Sequence, residues 1–124
     1  MEEEALSRAW RDLTPGERSL MDLLLTKQFP GVEALRSQLE TARVSRIDAE
    51  GSLQFRVRGP LAEVQERVPT EGYYFDADVD YRPAVNVLLH VVEGKLRELE
   101  VYKDDGSPIQ VSLAMLDLDR FHLL

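Results

Sequence analysis

The chain contains no cysteine among its 124 residues, and it has one tryptophan and two histidines. The absence of cysteine excludes disulfides, thiolate metal ligands and cysteine nucleophiles. Long hydrophobic runs are also missing, because the longest ones, at residues 23–25 and 87–89, fall far short of the ~20 residues that span a bilayer. Positive charge is scarce as well, since 15 Lys and Arg stand against 23 Asp and Glu. The net charge of -8 therefore opposes binding to anionic lipids and to nucleic acids.

The two ends of the chain predict its location and the limits of its domain. Glu2, Glu3 and Glu4 occupy the place where a signal peptide carries basic residues, so we expect a cytoplasmic protein. The length suits one domain over residues 1–124, with an amphipathic segment at residues 1–12. Residues 114–124 form an apolar tail. We expect this tail either to dock on the domain or to form a homodimer contact.

The first third of the sequence is helical by pattern. A first apolar stripe at helical spacing consists of Leu6, Ala9, Trp10 and Leu13. Thr14, Pro15 and Glu17 are then typical of a capping box, which predicts a helix over residues 15–27. After a break at residues 29–31, a second stripe predicts another helix that ends near residue 40. Its apolar members are Val32, Leu35 and Leu39.

From residue 43 onward, apolar residues recur at every second position, as they do in half-buried strands. The predicted strands cover residues 43–47, 53–57, 62–68, 84–92, 95–103 and 109–113. The first two and the fourth and fifth of these form hairpins. The sequence thus predicts an α+β fold, with N-terminal helices packed on one face of an antiparallel β-sheet of about four to six strands.

The loop of the second hairpin decides which side chains share a face of the sheet. A two-residue loop of Glu93 and Gly94 sets Val87 against Glu100, whereas a three-residue loop sets Val87 against Leu99. We expect the longer loop, because it builds one continuous apolar face. The opposite face then carries Asn86, His90, Glu98, Glu100 and Tyr102.

Residues 71–81 contain the densest cluster of aromatic and acidic side chains in the chain. In an extended segment, Asp76, Asp78 and Asp80 project from one face, and a basic partner would relieve their mutual repulsion. Aromatic side chains supply contact area and carboxylates steer a basic protein, so the segment predicts a partner-binding patch. The predicted partner-binding residues are Tyr73, Tyr74, Phe75, Asp76, Asp78, Asp80 and Tyr81.

Two alternatives for these aspartates stay open at this point. A solvated acidic loop needs no ligand, and a metal- or ligand-binding enzyme would use the aspartates together with His90. The EF-hand pattern fails, because Tyr81 stands at its glycine position. No nucleophile elbow, phosphate loop or paired-histidine motif occurs, so the sequence assigns no catalytic residue, no cofactor and no metal ligand.

The arginines of the first hairpin form a weakly basic region. They are Arg43, Arg46, Arg56 and Arg58, with Arg67 nearby. Residues 42–70 nevertheless carry a surplus of only one positive charge, while residues 71–124 carry a net charge of -6. Phosphate-backbone binding depends on a larger local excess of cations, so we expect no nucleic-acid partner.

Several segments together resemble a known group of proteins. They are Leu13-Thr14-Pro15-Gly16-Glu17, Phe29-Pro30-Gly31, Gly51-Ser52-Leu53, Val87-Leu88-Leu89-His90-Val91-Val92-Glu93-Gly94 and Leu99-Glu100-Val101-Tyr102-Lys103-Asp104-Asp105-Gly106. Over residues 13–110, this arrangement resembles a family of short uncharacterised bacterial proteins, similar to small immunity proteins of toxin systems. The resemblance implies the same fold and a bacterial cytosolic setting. From the acidic, aromatic-rich segment and the net charge of -6 over residues 71–124, we expect a non-enzymatic, immunity- or antitoxin-like protein that binds a basic toxin. The alternatives are a small enzyme that uses the aspartates and a homo-oligomeric accessory domain.

Overall fold

The computed structural model describes residues 9–77 and 83–124. In these residues, two helices precede a six-stranded antiparallel sheet, which confirms the predicted α+β class. The helices are α1 (Pro15–Leu24) and α2 (Val32–Leu39). The strands are β1 (Arg43–Arg46), β2 (Leu53–Arg56), β3 (Thr70–Tyr74), β4 (Val85–Val92), β5 (Lys95–Lys103) and β6 (His122–Leu123). Their order across the sheet is β1-β2-β5-β4-β3-β6.

Helix α1 begins at the capping box that the sequence predicts. The Thr14 hydroxyl accepts a hydrogen bond from the Glu17 N–H at 3.1 Å, and the Glu17 carboxylate accepts one from the Thr14 N–H at 2.9 Å. The helix ends earlier than predicted, and the Arg36 guanidinium donates two hydrogen bonds to the carbonyl of Leu25, at 2.9 and 2.7 Å. Both ends of α1 are therefore satisfied by side chains.

The segment before α1 is extended, so the helical stripe predicted there is wrong for residues 9–13; Leu6 lies outside the described residues. Arg11 forms an isolated antiparallel bridge with Val44, through N–H to carbonyl hydrogen bonds of 2.9 and 2.8 Å. The Arg11 guanidinium also holds the Glu17 carboxylate at 2.8 and 3.0 Å. These contacts stabilise the extended segment more than a helix would, because they satisfy hydrogen-bonding groups of the backbone at the edge strand β1.

Two of the predicted strands are wrong. Residues 62–68 form a loop that crosses the β4–β5 turn, where the Ala62 N–H donates to the carbonyl of Gly94 at 2.9 Å. The neighbouring strand, β3, instead follows the buried Pro69. Residues 109–112 also form a loop, and a 3₁₀ helix follows at Leu113–Met115. That loop instead bonds to two side chains at and just after the end of β3, those of Tyr74 and Asp76.

The β4–β5 hairpin uses neither of the two registers considered from the sequence. Its loop is the two-residue turn of Glu93 and Gly94, whose φ angles of 53° and 77° are typical of a type I′ turn. A bulge at Arg97 then shifts the pairing, so that Val87 faces Val101 and not Leu99. With the two-residue turn alone, the apolar side chains of β5 would lie on the face opposite to those of β4. The extra residue at the bulge returns them to the same face. The single apolar face is therefore formed as expected.

The helices pack on that apolar face. Its core residues, each at most 2% exposed, include Val44, Leu53, Val85, Val87, Leu89, Leu99 and Val101. The buried Gln38 of α2 donates to the carbonyls of Pro60 and Gly94 at 2.8 Å each, and its oxygen accepts from the Leu96 N–H at 2.9 Å. One polar side chain thus joins α2 to the β4–β5 turn.

The C-terminal tail docks on the domain. Strand β6 pairs with β3, and the Leu124 N–H donates to the carbonyl of Glu71 at 3.0 Å. Phe121 is 8% exposed and lies over Gly72, the only residue type that leaves room for its ring there. Met115 and Leu124 stay exposed at 77% and 62%. A homodimer contact through these residues remains a prediction.

Candidate functional site

The face of the sheet opposite the helices is the candidate site, and we call it the open face. Alternation along β4 and β5 buries the apolar side chains and leaves their neighbours partly exposed. Two rows of side chains cross the open face on adjacent strands. The first row is Tyr102, Asn86, Tyr73 and His122, and the second is Glu100, Leu88 and Glu71.

Three rings pack together at one end of the open face, and we call them the aromatic cluster: Tyr73, Phe75 and His122. The Tyr73 and His122 rings are stacked with centroids 4.8 Å apart, and Phe75 meets Tyr73 edge-on at 5.8 Å. Tyr102 lies in the same row and is 43% exposed. Because aromatic side chains dominate the energy of many protein interfaces, this cluster is a suitable anchor point.

His90 lies in the middle of the open face and is held by two charged neighbours. The Arg67 Nε–H donates to His90 Nδ1 at 3.1 Å, so Nδ1 is an acceptor and the ring proton lies on Nε2. Nε2 in turn donates to the Glu100 carboxylate at 2.8 Å. This Arg67–His90–Glu100 chain fixes the orientation of the imidazole. It also leaves both ring nitrogens occupied.

Carboxylates surround this histidine. Glu98 lies opposite His90 in the hairpin, and Glu71 and Glu100 flank Leu88 on its two neighbouring strands. Within residues 9–77 and 83–124, neither Glu71 nor Glu98 forms an ion pair. The open face therefore presents unpaired negative charge beside the aromatic cluster.

The structure separates the predicted partner-binding residues into two groups. Tyr73 and Phe75 point to the open face and belong to the aromatic cluster. Tyr74 is 0% exposed and Asp76 is 5% exposed, so burial removes both from the candidate surface. Alternation along β3 and its extension explains the division, since neighbouring residues point to opposite faces. Asp78, Asp80 and Tyr81 lie outside the described residues.

Asp76 and Tyr74 hold the loop that follows β5. The Lys103 ammonium lies 3.0 Å from Asp76 Oδ1, and Oδ2 accepts from the Gln110 N–H at 2.6 Å. Burial alone would raise the pKa of Asp76, but these donors lower it below its ordinary value of 3.8. The Tyr74 hydroxyl donates to the carbonyl of Val111 at 2.6 Å, and burial raises the pKa of this phenol. Because Lys103 already neutralises Asp76, this carboxylate is less suited to bind a metal ion.

The sequence identified part of the open face. It placed Asn86, His90, Glu98, Glu100 and Tyr102 together, and the structure does the same. It missed Glu71, Arg67 and His122, which come from β3, from the loop before it and from the tail. A signal existed for one of them, because a strand beginning after Pro69 puts Glu71 on the same face as Tyr73. No local pattern reveals His122, whose place depends on the docking of the tail.

Within the described residues, no group of three or more histidine, aspartate or glutamate side chains is arranged to hold a metal ion. Within those same residues, no helix combines the length and the apolar content that crossing a bilayer requires.

Comparison with known proteins finds a family model that matches most of the chain. The family model described as a domain of unknown function, DUF6984, covers residues 10–113. No curated protein and no solved structure matches the chain. The match agrees with the expected uncharacterised family, and the likeness to immunity proteins stays a proposal.

Proposed function

The chain belongs to the DUF6984 family, and from the geometry of its open face we propose that it is a non-enzymatic binding protein. More specifically, we propose an immunity- or antitoxin-like inhibitor whose partner is a basic toxin protein. The observation that carries this proposal is the combination, within the described residues, of unpaired carboxylates and stacked aromatic rings on one face of the sheet.

Charge on the part of the open face around His90 and the aromatic cluster supports a basic partner. Glu71, Glu98 and Glu100 lie there, and Asp104 lies at the rim, where it accepts a hydrogen bond from Asn86 at 2.6 Å. The Arg67 guanidinium is directed to His90. A surface of this kind accelerates the association of an oppositely charged protein and makes the rate sensitive to salt.

The dimensions of the open face support a protein partner. The row from Tyr102 to His122 crosses four neighbouring strands, which at ~4.8 Å between strands gives a width of about 15 Å. Tyr73 and Phe75 lie towards one end of this width and Tyr102 lies at the other end, with polar groups between them. Aromatic side chains beside polar groups are common in protein interfaces.

The test uses the product of the gene beside that of this chain, and we expect that product to be a basic, growth-inhibiting protein. Co-expression in a bacterial host first asks whether the chain restores growth that the neighbouring product inhibits. Stopped-flow measurements then compare association rates for the wild type and for the double variant E71Q/E98Q. We expect the variant to associate about tenfold more slowly at low ionic strength and about equally at high ionic strength.

The matched control is E33Q/E63Q, which removes two exposed carboxylates that form no ion pair within the described residues, one in α2 and one in the loop beside Gly31, where that helix begins. This control should associate at nearly the wild-type rate. Y73A should mainly accelerate dissociation, because it removes the centre of the aromatic cluster. The proposal fails if growth is not restored, or if E71Q/E98Q and the control behave alike.

A further inference from the structure

A small cavity at the far end of the open face carries a second proposal, which does not depend on the partner surface. It has a volume of about 270 Å³ and lies where β2 ends and β5 begins. Trp10, from the extended segment before α1, closes one side. The lining residues are Trp10, Gln54, Phe55, Arg56, Val57, Lys95, Leu96 and Arg97.

The charge of this cavity is opposite to that of the whole protein. Arg56, Lys95 and Arg97 line it, and none of the lining residues is acidic. In the part of the chain that the structure describes, none of these three cations forms an ion pair. The net charge of the chain is -8, so a cavity lined by three unpaired cations differs from the protein as a whole.

Local structure explains why the cations converge. Arg56 is the last residue of β2, and its guanidinium carbon lies 4.2 Å from the centre of the Trp10 ring. Lys95 follows the type I′ turn, and Arg97 is the extra residue of the β-bulge. Bulges redirect side chains and are common beside binding sites, and Arg97 lines this cavity. Arg43, on the neighbouring strand β1, is by contrast paired with Asp12 at 3.5 Å.

From this arrangement we infer that the cavity binds a small phosphate monoester. A phosphate monoester carries nearly two negative charges at neutral pH, since its second pKa is about 6, and three cations match it better than they match a single carboxylate. Arginine and lysine together are a common phosphate-binding pair. The volume lies just below the ~300 Å³ at which cavities for drug-sized ligands begin, so the ligand is small.

Trp10 supplies both a recognition surface and a probe. Its indole lines the cavity, and the stacked Arg56 fixes its position. A planar group attached to the phosphate would find an aromatic surface there. Because Trp10 is the only tryptophan in the chain, the intrinsic tryptophan fluorescence of the unlabelled protein reports on this cavity alone.

The experiment titrates the full chain with inorganic phosphate, ribose 5-phosphate and adenosine monophosphate, and it records Trp10 fluorescence and the melting temperature. We expect saturable fluorescence changes and a raised melting temperature with the esters. A tighter response to adenosine monophosphate than to ribose 5-phosphate would assign the base to Trp10. Equal responses would assign binding to the phosphate group alone, and either result supports the site. No saturable response to any of the three overturns it.

Variants separate this site from general charge effects. R97Q and K95Q should each weaken binding about tenfold, because each removes a charge-assisted hydrogen bond. The matched control K27Q removes an exposed cation at the other side of the fold, and it should bind as the wild type does. If K27Q weakens binding as much as R97Q, the response is non-specific and the proposal is wrong. A short single-stranded RNA that binds far more tightly than the monoesters would also overturn it, in favour of a nucleic-acid surface.

Discussion

The docking of the C-terminal tail gives the sharpest prediction, because a single methyl group should disturb it. A Cβ atom at Gly72 would overlap two ring carbons of Phe121 and would stand 2.5 Å from the carbonyl oxygen of His122. The ring could move, but the carbonyl belongs to the backbone of β6. G72A should therefore force β6 away from β3.

The size of the effect follows from what the tail loses. Exposing Phe121 costs about 1.5–3 kcal/mol of burial, and each hydrogen bond lost between β3 and β6 adds roughly 0.5–1.5 kcal/mol. Alanine offsets about 0.5–1 kcal/mol, because it loses less conformational freedom than glycine in a strand. We expect a net loss of about 2–3 kcal/mol, which corresponds to a melting temperature lower by roughly 6–12 °C.

Urea unfolding followed by circular dichroism measures the global loss, and hydrogen exchange at the Leu124 amide reports on β6 itself. F121A provides the partner for a double-mutant cycle. Both substitutions act by releasing the same tail, so G72A/F121A should cost clearly less than the sum of the single changes. Stability of G72A within about 0.5 kcal/mol of the wild type, or additive effects in the cycle, would refute the reasoning.

Two further predictions concern buried polar groups. Burial opposes ionisation of Asp76, but hydrogen bonds from a backbone N–H and from Lys103 hold its pKa below 3.8. The stability that the ionised carboxylate contributes is therefore present above about pH 4, and it is lost as the pH falls further. D76N should lower the free energy of unfolding by about 3 kcal/mol at neutral pH, because Lys103 then keeps a buried charge without its partner. Urea unfolding of D76N should also show a smaller loss of stability below about pH 4, and an unchanged loss there would contradict this explanation. Q38L should cost about 2–4 kcal/mol in the same assay, because the Leu96 N–H and two carbonyls lose their partner. The exposed Q28L serves as its control, and equal losses in both would exclude the explanation.

Local signals predicted the elements whose ends are determined by neighbouring residues. The capping box of Thr14 and Glu17 located the start of α1, and the alternation in residues 84–103 located β4 and β5. The apolar face of that hairpin was also predicted, although the register was not. The bulge at Arg97 forms because the favoured two-residue turn, without an extra residue, would put the apolar side chains of β5 on the wrong face of the sheet. A turn motif alone does not reveal the bulge.

The candidate site was only half predictable, because its members come from distant parts of the chain. Tyr73 and Phe75 were identified from composition, and Tyr74 and Asp76 were included with them although alternation buries both. The sequence analysis did not predict strand β3 at Thr70–Tyr74, whose alternation buries these two side chains. His122 reaches Tyr73 only through the docked tail.

The sequence by itself determined the α+β class, the acidic character of the second half and the presence of aromatic and acidic residues between positions 71 and 81. These properties depend on composition and on periodicity within a few residues. Only the tertiary structure decided which carboxylates lie on the open face and which are neutralised inside, as Asp76 is by Lys103. It also brought Trp10 to the cavity with Arg56, Lys95 and Arg97. The physical reason is that burial and the pairing of charges depend on which strands become neighbours, and the packing of the whole chain settles that order.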